Sequence, residues 1–194
     1  LRKHGKASAF SPGEIGCVDP TVVEPMVIFT IPHVPWSLKP IPVPRAHILK
    51  LMELLKQKVE MGILEPSSAP YSNRWYTVPK KNSTLRFIQD LQQVNKVTIR
   101  NAGIGPTIDE FAEAFAGRSI YSVGDLYSGY DQFQLAVKSR DITTMRTPLG
   151  LVRMCTLLQG GTNSVAHMVN AMNTVLRDCI PDIAKPFLDD IPIK

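Results

Sequence analysis

Two adjacent carboxylates, Asp189 and Asp190, interrupt the apolar stretch KPFLDDIPIK at residues 185–194. No other feature limits the fold as much. Like charges side by side repel, and burying either costs heavily unless it is paired or bound to a cation. Short apolar arms on both sides predict a tight hairpin that presents the two carboxylates together.

A third carboxylate stands where it could join them. YSVGDLYSGY (121–130) ends an apolar strand at Asp125, just before a turn. If that strand lies beside the hairpin, three carboxylates converge. Hard oxygen ligands of this kind suit Mg2+. Two such ions, roughly 3.5–4 Å apart, serve nucleotidyl transfer by activating one oxygen and stabilising the leaving one. Taken singly, a doubled Asp in a turn is a solvated turn and Asp125 a strand-end cap.

The chain has 194 residues, enough for one core or two small lobes. No apolar run approaches the roughly 18 residues of a membrane span. The N-terminus lacks both an apolar leader and an initiator Met, which reads as a piece of a longer protein or a product of processing. The cysteines Cys17, Cys155 and Cys179 have no metal-ligand spacing and read as small apolar residues in a reducing, intracellular setting. Net charge is +5. Residues 1–100 carry 14 Lys and Arg against 7 Asp and Glu, a net of +7; residues 101–194 carry 8 against 10, a net of −2. A basic lobe facing an acidic one suits a polyanion held above cations. On charge alone, a solvated basic surface is the better explanation.

Residues 1–44 hold eight prolines and read as an extended segment, with one strand at MVIFTI (26–31). Residues 45–64 show a 3.6-residue apolar period, a helix closed by Gly62. WYTVPKKNSTLRFIQDL (75–91) reads as a hairpin whose turn carries Lys80 and Lys81 and whose return strand carries Arg86. A short helix at 107–117 has Thr107 and Glu110 at capping-box spacing. Further strands are expected at 119–125 and at FQLAV (133–137), with a hairpin turning at Pro148–Gly150. A long helix is expected over 162–180, with Val165, Met168, Val169, Met172, Val175 and Leu176 on one face. This order predicts an α+β fold with helices packed on one side of an antiparallel sheet.

Five stretches, in order, resemble the reverse transcriptases of gypsy-class LTR retrotransposons. They are residues 48–81, LRFIQDLQQVNKVTIRN (85–101), VGDLYSGYDQFQL (123–135), LLQGGTNSVAHMVN (157–170) and FLDD (187–190). The resemblance covers roughly residues 40–194. It implies the fingers and palm of a right-hand polymerase following the Pro-rich segment of 1–44: fingers with the start of the palm over 45–117, and palm over 118–194, stopping after the Asp-Asp hairpin without a thumb. It implies an RNA-directed DNA polymerase that adds dNTPs to a primer on an RNA or DNA template, in the cytoplasm or within retrotransposon particles. By position, Asp125 and Asp189 would be the principal metal ligands, assisted by Asp190 and the Leu126 carbonyl. The metal would be Mg2+, with Mn2+ as substitute.

The resemblance also assigns the nucleotide contacts. Backbone N–H groups of Ser128 and Gly129 would meet the triphosphate. Arg86 would clamp it, with Lys80 or Lys81 adding a second cation, Lys81 being favoured. Tyr130 would sit under the sugar and exclude a 2′-hydroxyl, and Gln159 would touch the nucleotide. Two positions depart from the family: Gln92, where it often has a basic residue, and Gln89, where it often has an apolar one. A chain lacking a thumb would hold primer–template poorly, because phosphate contacts supply much of the affinity. The competing reading is therefore an inert remnant or a basic nucleic-acid-binding module.

Overall fold

The computed structural model describes residues 12–81, 84–103, 107–117, 119–187 and 190–194. The first regular element is the expected amphipathic helix, α1 (Ile48–Glu60), which buries Leu51 and Leu55. Gly62, at φ +70°, ends it. The Ile63 N–H donates to the Lys58 carbonyl at 2.9 Å and the Gly62 N–H to Val59 at 3.0 Å, the paired bonds of a Schellman cap.

Three small antiparallel sheets follow. β1 (Leu64–Pro66) pairs with β6 (Gly150–Met154), which pairs in turn with β5 (Met145–Thr147). β2 (Trp75–Pro79) and β3 (Leu85–Gln89) form the expected hairpin, with Trp75 opposite Gln89 and Val78 opposite Arg86. β4 (Ser122–Asp125) pairs with β7 (Asp190–Ile193). The helices are α2 (Gln92–Val97), α3 (Ile108–Phe115), the one-turn α4 (Val137–Arg140) and α5 (Ser164–Val175). α3 carries the full Thr107–Glu110 capping box.

Two expected strands do not form. MVIFTI makes only isolated bridges, Met26 with Leu135 and Thr30 with Thr98, because Pro25 and Pro32 bound it and supply no N–H for a longer ladder. FQLAV pairs at Gln134 and Leu135 and then turns into α4. α5 is shorter than the expected 162–180, and Val175 is half exposed.

The segment before α1 is a strap. It bonds to Gln132 and Gln134 through the Val18 and Met26 N–H groups, to Val97 through Ile31, and to Ser72 through Leu38. One core joins α1, β1, β2, β3, β5 and β6 through Leu51, Leu55, Leu64, Trp75, Leu85, Met145 and Val152. A second packs Met26, Phe133, Leu157, Met168, Ala171 and Met172 together, with Ile191 of β7 against it. The first core and the β1–β6 pairing both cross the division expected between residues 117 and 118. Beside them Glu65 accepts from Arg140 at 3.0 Å and from Arg153 at 2.6 Å, and Arg153 also bonds Asp141. Burial, aided by Glu65, pushes the Cys155 thiol up to about 11, so it remains protonated as an apolar filler. Among the described residues no helix is long and apolar enough to cross a membrane.

Candidate active site

The β4–β7 register brings Asp125 directly opposite Asp190. Residues so paired project to the same face of a sheet, where like charges repel. Backbone bonds in both directions between Phe187 and Asp190, 2.9 and 3.0 Å, close the predicted tight turn. Leu188 and Asp189, between them in sequence, lie outside the described residues. Phe187 is gripped from the other side by Phe111 of α3, with ring centroids 5.0 Å apart. Lys185 Nζ donates to the Glu110 carbonyl at 3.0 Å. The donors here are hard oxygens, the set that suits Mg2+ rather than a softer metal.

Asp125 stands at one side of a cleft of about 490 Å3. The same cleft is lined by Lys80, Arg86, Leu126, Ser128, Gly129, Tyr130 and Gln159. Residues dispersed over 80 positions of sequence thus share one cavity. Across it Arg86 Nη2 donates to Gln159 Oε1 at 2.8 Å. Of the two turn lysines it is Lys80 that lines the cleft; Lys81, the one favoured from the sequence, is exposed in the turn outside that lining. The register explains this, since the Lys80 N–H still bonds the Thr84 carbonyl at 2.8 Å and so continues the ladder above Arg86.

The turn after Asp125 departs from expectation at one atom. Ser128 adopts the left-handed conformation, φ 49°. The chain folds back, and the Gly129 N–H donates to the Leu126 carbonyl at 3.2 Å. That N–H is engaged within the turn. The position is tight: a Cβ on Gly129 would come to 3.0 Å from Met168 Cε and 3.1 Å from Leu126 Cβ, and those side chains would have to yield by a few tenths of an ångström. The Leu126 carbonyl keeps a second lone pair. Tyr130 is half-buried against the second core while lining the cleft.

Several residues that sequence reasoning missed hold this arrangement. Asn95 of α2 grips the Gln159-Gly160-Gly161 turn with both ends of its amide. Nδ2 donates to the Gly160 carbonyl at 3.0 Å, and Oδ1 accepts the Thr162 N–H at 2.9 Å. Lys58 of α1 meets Asp131, next to Tyr130, at 3.6 Å, and both line the cleft. Asn95 lies inside the stretch 85–101 that carries the family resemblance, and an amide both donates and accepts, which together were the signal that could have found it.

Residues 78–194 match the family model described as reverse transcriptase (RNA-dependent DNA polymerase). The retrovirus-related Pol polyprotein from transposon gypsy of Drosophila melanogaster is 30% identical over 145 residues, 72% of this chain and 14% of that polyprotein. The corresponding polyprotein from transposon 297 of the same organism is 24% identical over 172 residues, 86% of this chain and 16% of its own length. A transposon Tf2-3 polyprotein of Schizosaccharomyces pombe is 26% identical over 152 residues, 78% of this chain and 11% of that polyprotein. The chain thus spans between 11% and 16% of these three relatives. Among solved structures, the prototype foamy virus protease-reverse transcriptase superposes with a TM-score of 0.88 at 20% identity, over all of this chain and 25% of that one. The foamy viral protease-reverse transcriptase in complex with RNA/DNA hybrid gives 0.78 at 20% identity, over 89% of this chain and 23% of that one. The carboxylate hairpin, the turn after Asp125 and the Gln-Gly turn all fall inside the matched stretch, and the chain belongs to the reverse transcriptase family, RNA-directed DNA polymerases, with the fingers-and-palm fold of its foamy viral relatives.

Proposed function

We propose that this chain carries the nucleotide-adding centre of an RNA-directed DNA polymerase, joining dNTPs to a primer 3′-hydroxyl on an RNA or DNA template. One observation carries the reading: Asp125, paired opposite Asp190, lines the same cleft as Arg86 and Lys80. Carboxylates and cations together suit a triphosphate whose α-phosphate reacts and whose outer phosphates leave.

Asp125, Asp189, Asp190 and the Leu126 carbonyl would hold Mg2+, or Mn2+ in its place. Bound there, the metal supplies charge neutralisation at the attacking and leaving oxygens. The remaining work falls to the chain itself. Arg86 offers a planar fork of donors to phosphate oxygens, and Lys80 a point charge. Arg86 already bonds Gln159, so binding exchanges one acceptor for another with the guanidinium held in place. The Ser128 N–H faces the triphosphate in the role first given to Ser128 and Gly129 together. Tyr130 fills the space a 2′-hydroxyl would need. No protein nucleophile is required, since the primer hydroxyl attacks the α-phosphate and pyrophosphate departs.

The test is primer extension by the full chain on an RNA template in Mg2+ or Mn2+, with Asp189→Asn alongside. Extension by the wild type alone is the expected result. A folded wild type that binds primer–template yet extends nothing would reduce the chain to a nucleic-acid-binding module.

A further inference from the structure

We infer that Gln89 is a positioning residue: its side chain latches the base of the β2–β3 hairpin to residues 142–146 and so sets where Lys80 and Arg86 stand over the cleft. The inference rests on the reading of that cleft as a nucleotide site.

The hairpin is fastened at one end. Gln89, the last residue of β3, pairs with Trp75, the first of β2. Three side chains at this end donate to carbonyls of the neighbouring segment. Gln89 Nε2 reaches Thr143 at 2.6 Å, and Trp75 Nε1 reaches Arg146 at 2.7 Å. Asn73 Nδ2 reaches Ile142 at 2.7 Å and Thr144 at 3.0 Å. Gln89 is the one donor of the three on β3, the strand that carries Arg86. Its anchor is rigid. Thr143 is wholly buried, and its hydroxyl donates to the Arg140 carbonyl at 2.7 Å and accepts the Met154 N–H at 2.8 Å. Arg86 lies three residues further along the strand, about 10 Å away at the usual rise. A small tilt at the base therefore becomes a larger displacement of the guanidinium.

The other end of the same amide argues against a purely stabilising role. Gln89 Oε1 is buried and has no hydrogen-bond partner. That unsatisfied acceptor lowers stability, while an apolar side chain of similar length would remove it but take the donor from the carbonyl of the buried Thr143, so the two costs offset. Net stability therefore does not distinguish Gln from Met here. What it supplies, and Met or Leu cannot, is the donor to Thr143.

Three measurements on the full chain test this, using Gln89→Met, Gln89→Glu and a control, Arg86→Ala. For Gln89→Met the expected results are a Tm close to that of the wild type, faster hydrogen–deuterium exchange confined to residues 75–89, and about fivefold weaker binding of dTTP in Mg2+, the worth of one hydrogen bond. Gln89→Glu supplies a donor only while protonated. Its hairpin exchange should quicken with rising pH beyond the intrinsic rate seen in the wild type and in Gln89→Met. Unchanged protection of residues 75–89 in Gln89→Met would overturn the latch. So would a lowered Tm with loosening spread evenly over the chain, which marks a merely structural residue. If Arg86→Ala leaves dTTP binding intact, the nucleotide-site reading fails, while the exchange measurement still decides whether the latch exists.

Discussion

The two strand pairs that border the cleft are built in opposite ways. The β2–β3 hairpin buries Trp75 and Leu85, stacks Trp75 on Phe87 with centroids 5.2 Å apart, and is fastened by side-chain donors at its base. In the β4–β7 pair no residue is buried, and Val123 beside Asp125 is 65% exposed. That pair is held by its own ladder, by Ile191 against the second core and by the Phe111–Phe187 contact. The difference teaches where each task sits. Packing energy is concentrated on the hairpin side, which must hold cations in fixed places. The carboxylates stay accessible because buried, unpaired charges would be expelled or neutralised.

Substitutions should separate the two sides. The largest effect is expected on the open side: Asp125→Asn drops primer extension to background while the thermal midpoint stays at the wild-type value. Substantial extension by that well-folded variant would remove Asp125 from the metal site. The largest effect on the packed side comes from Leu51→Ala, which empties a fully buried position of the first core. It should cost about 2–5 kcal/mol, read by urea unfolding, and a loss below about 1 kcal/mol would mean the core collapses around the gap.

Tyr130→Ala tests the border between the two, since Tyr130 packs on the second core and faces the cleft. Ribonucleotide incorporation relative to deoxynucleotide should rise by about tenfold; an unchanged ratio takes Tyr130 out of the sugar-gate role. The smallest effect concerns His167 of α5. Its Nε2 is buried without a partner, its ring meets the edge of Phe133 at 6.4 Å, and burial lowers its pKa. The unfolded chain therefore takes up a proton first as pH falls below the ordinary histidine range near 6.5. Stability should decline over that interval, and His167→Leu should flatten the decline. A pH profile identical in both proteins would show that His167 is not its source.

Much of the hairpin side was legible from local pattern. Leu51 and Leu55 fall on the apolar stripe of α1, Gly62 marks its end, and the alternation around Lys80 and Arg86 marks the turn. The carboxylate side was legible in part: Asp125 at a strand end and Asp190 at a tight turn were both readable. What failed did so for local reasons that sequence pattern hides. Prolines cut the 26–31 ladder, the left-handed Ser128 turned the Gly129 N–H inward, and one residue of register put Lys80 on the cleft in place of Lys81.

The sequence by itself determined most of the elements, the family and the residue types of the site, because caps, turns and periodicity depend on neighbours a few positions away. Only the tertiary structure decided which residues meet. Asp125 faces Asp190, Arg86 bonds Gln159 and Gln89 bonds Thr143 across gaps of 54 to 73 residues. Such pairings follow from how the buried cores seat the strands against each other, and a shift of one residue in any strand would turn its side chains to the other face.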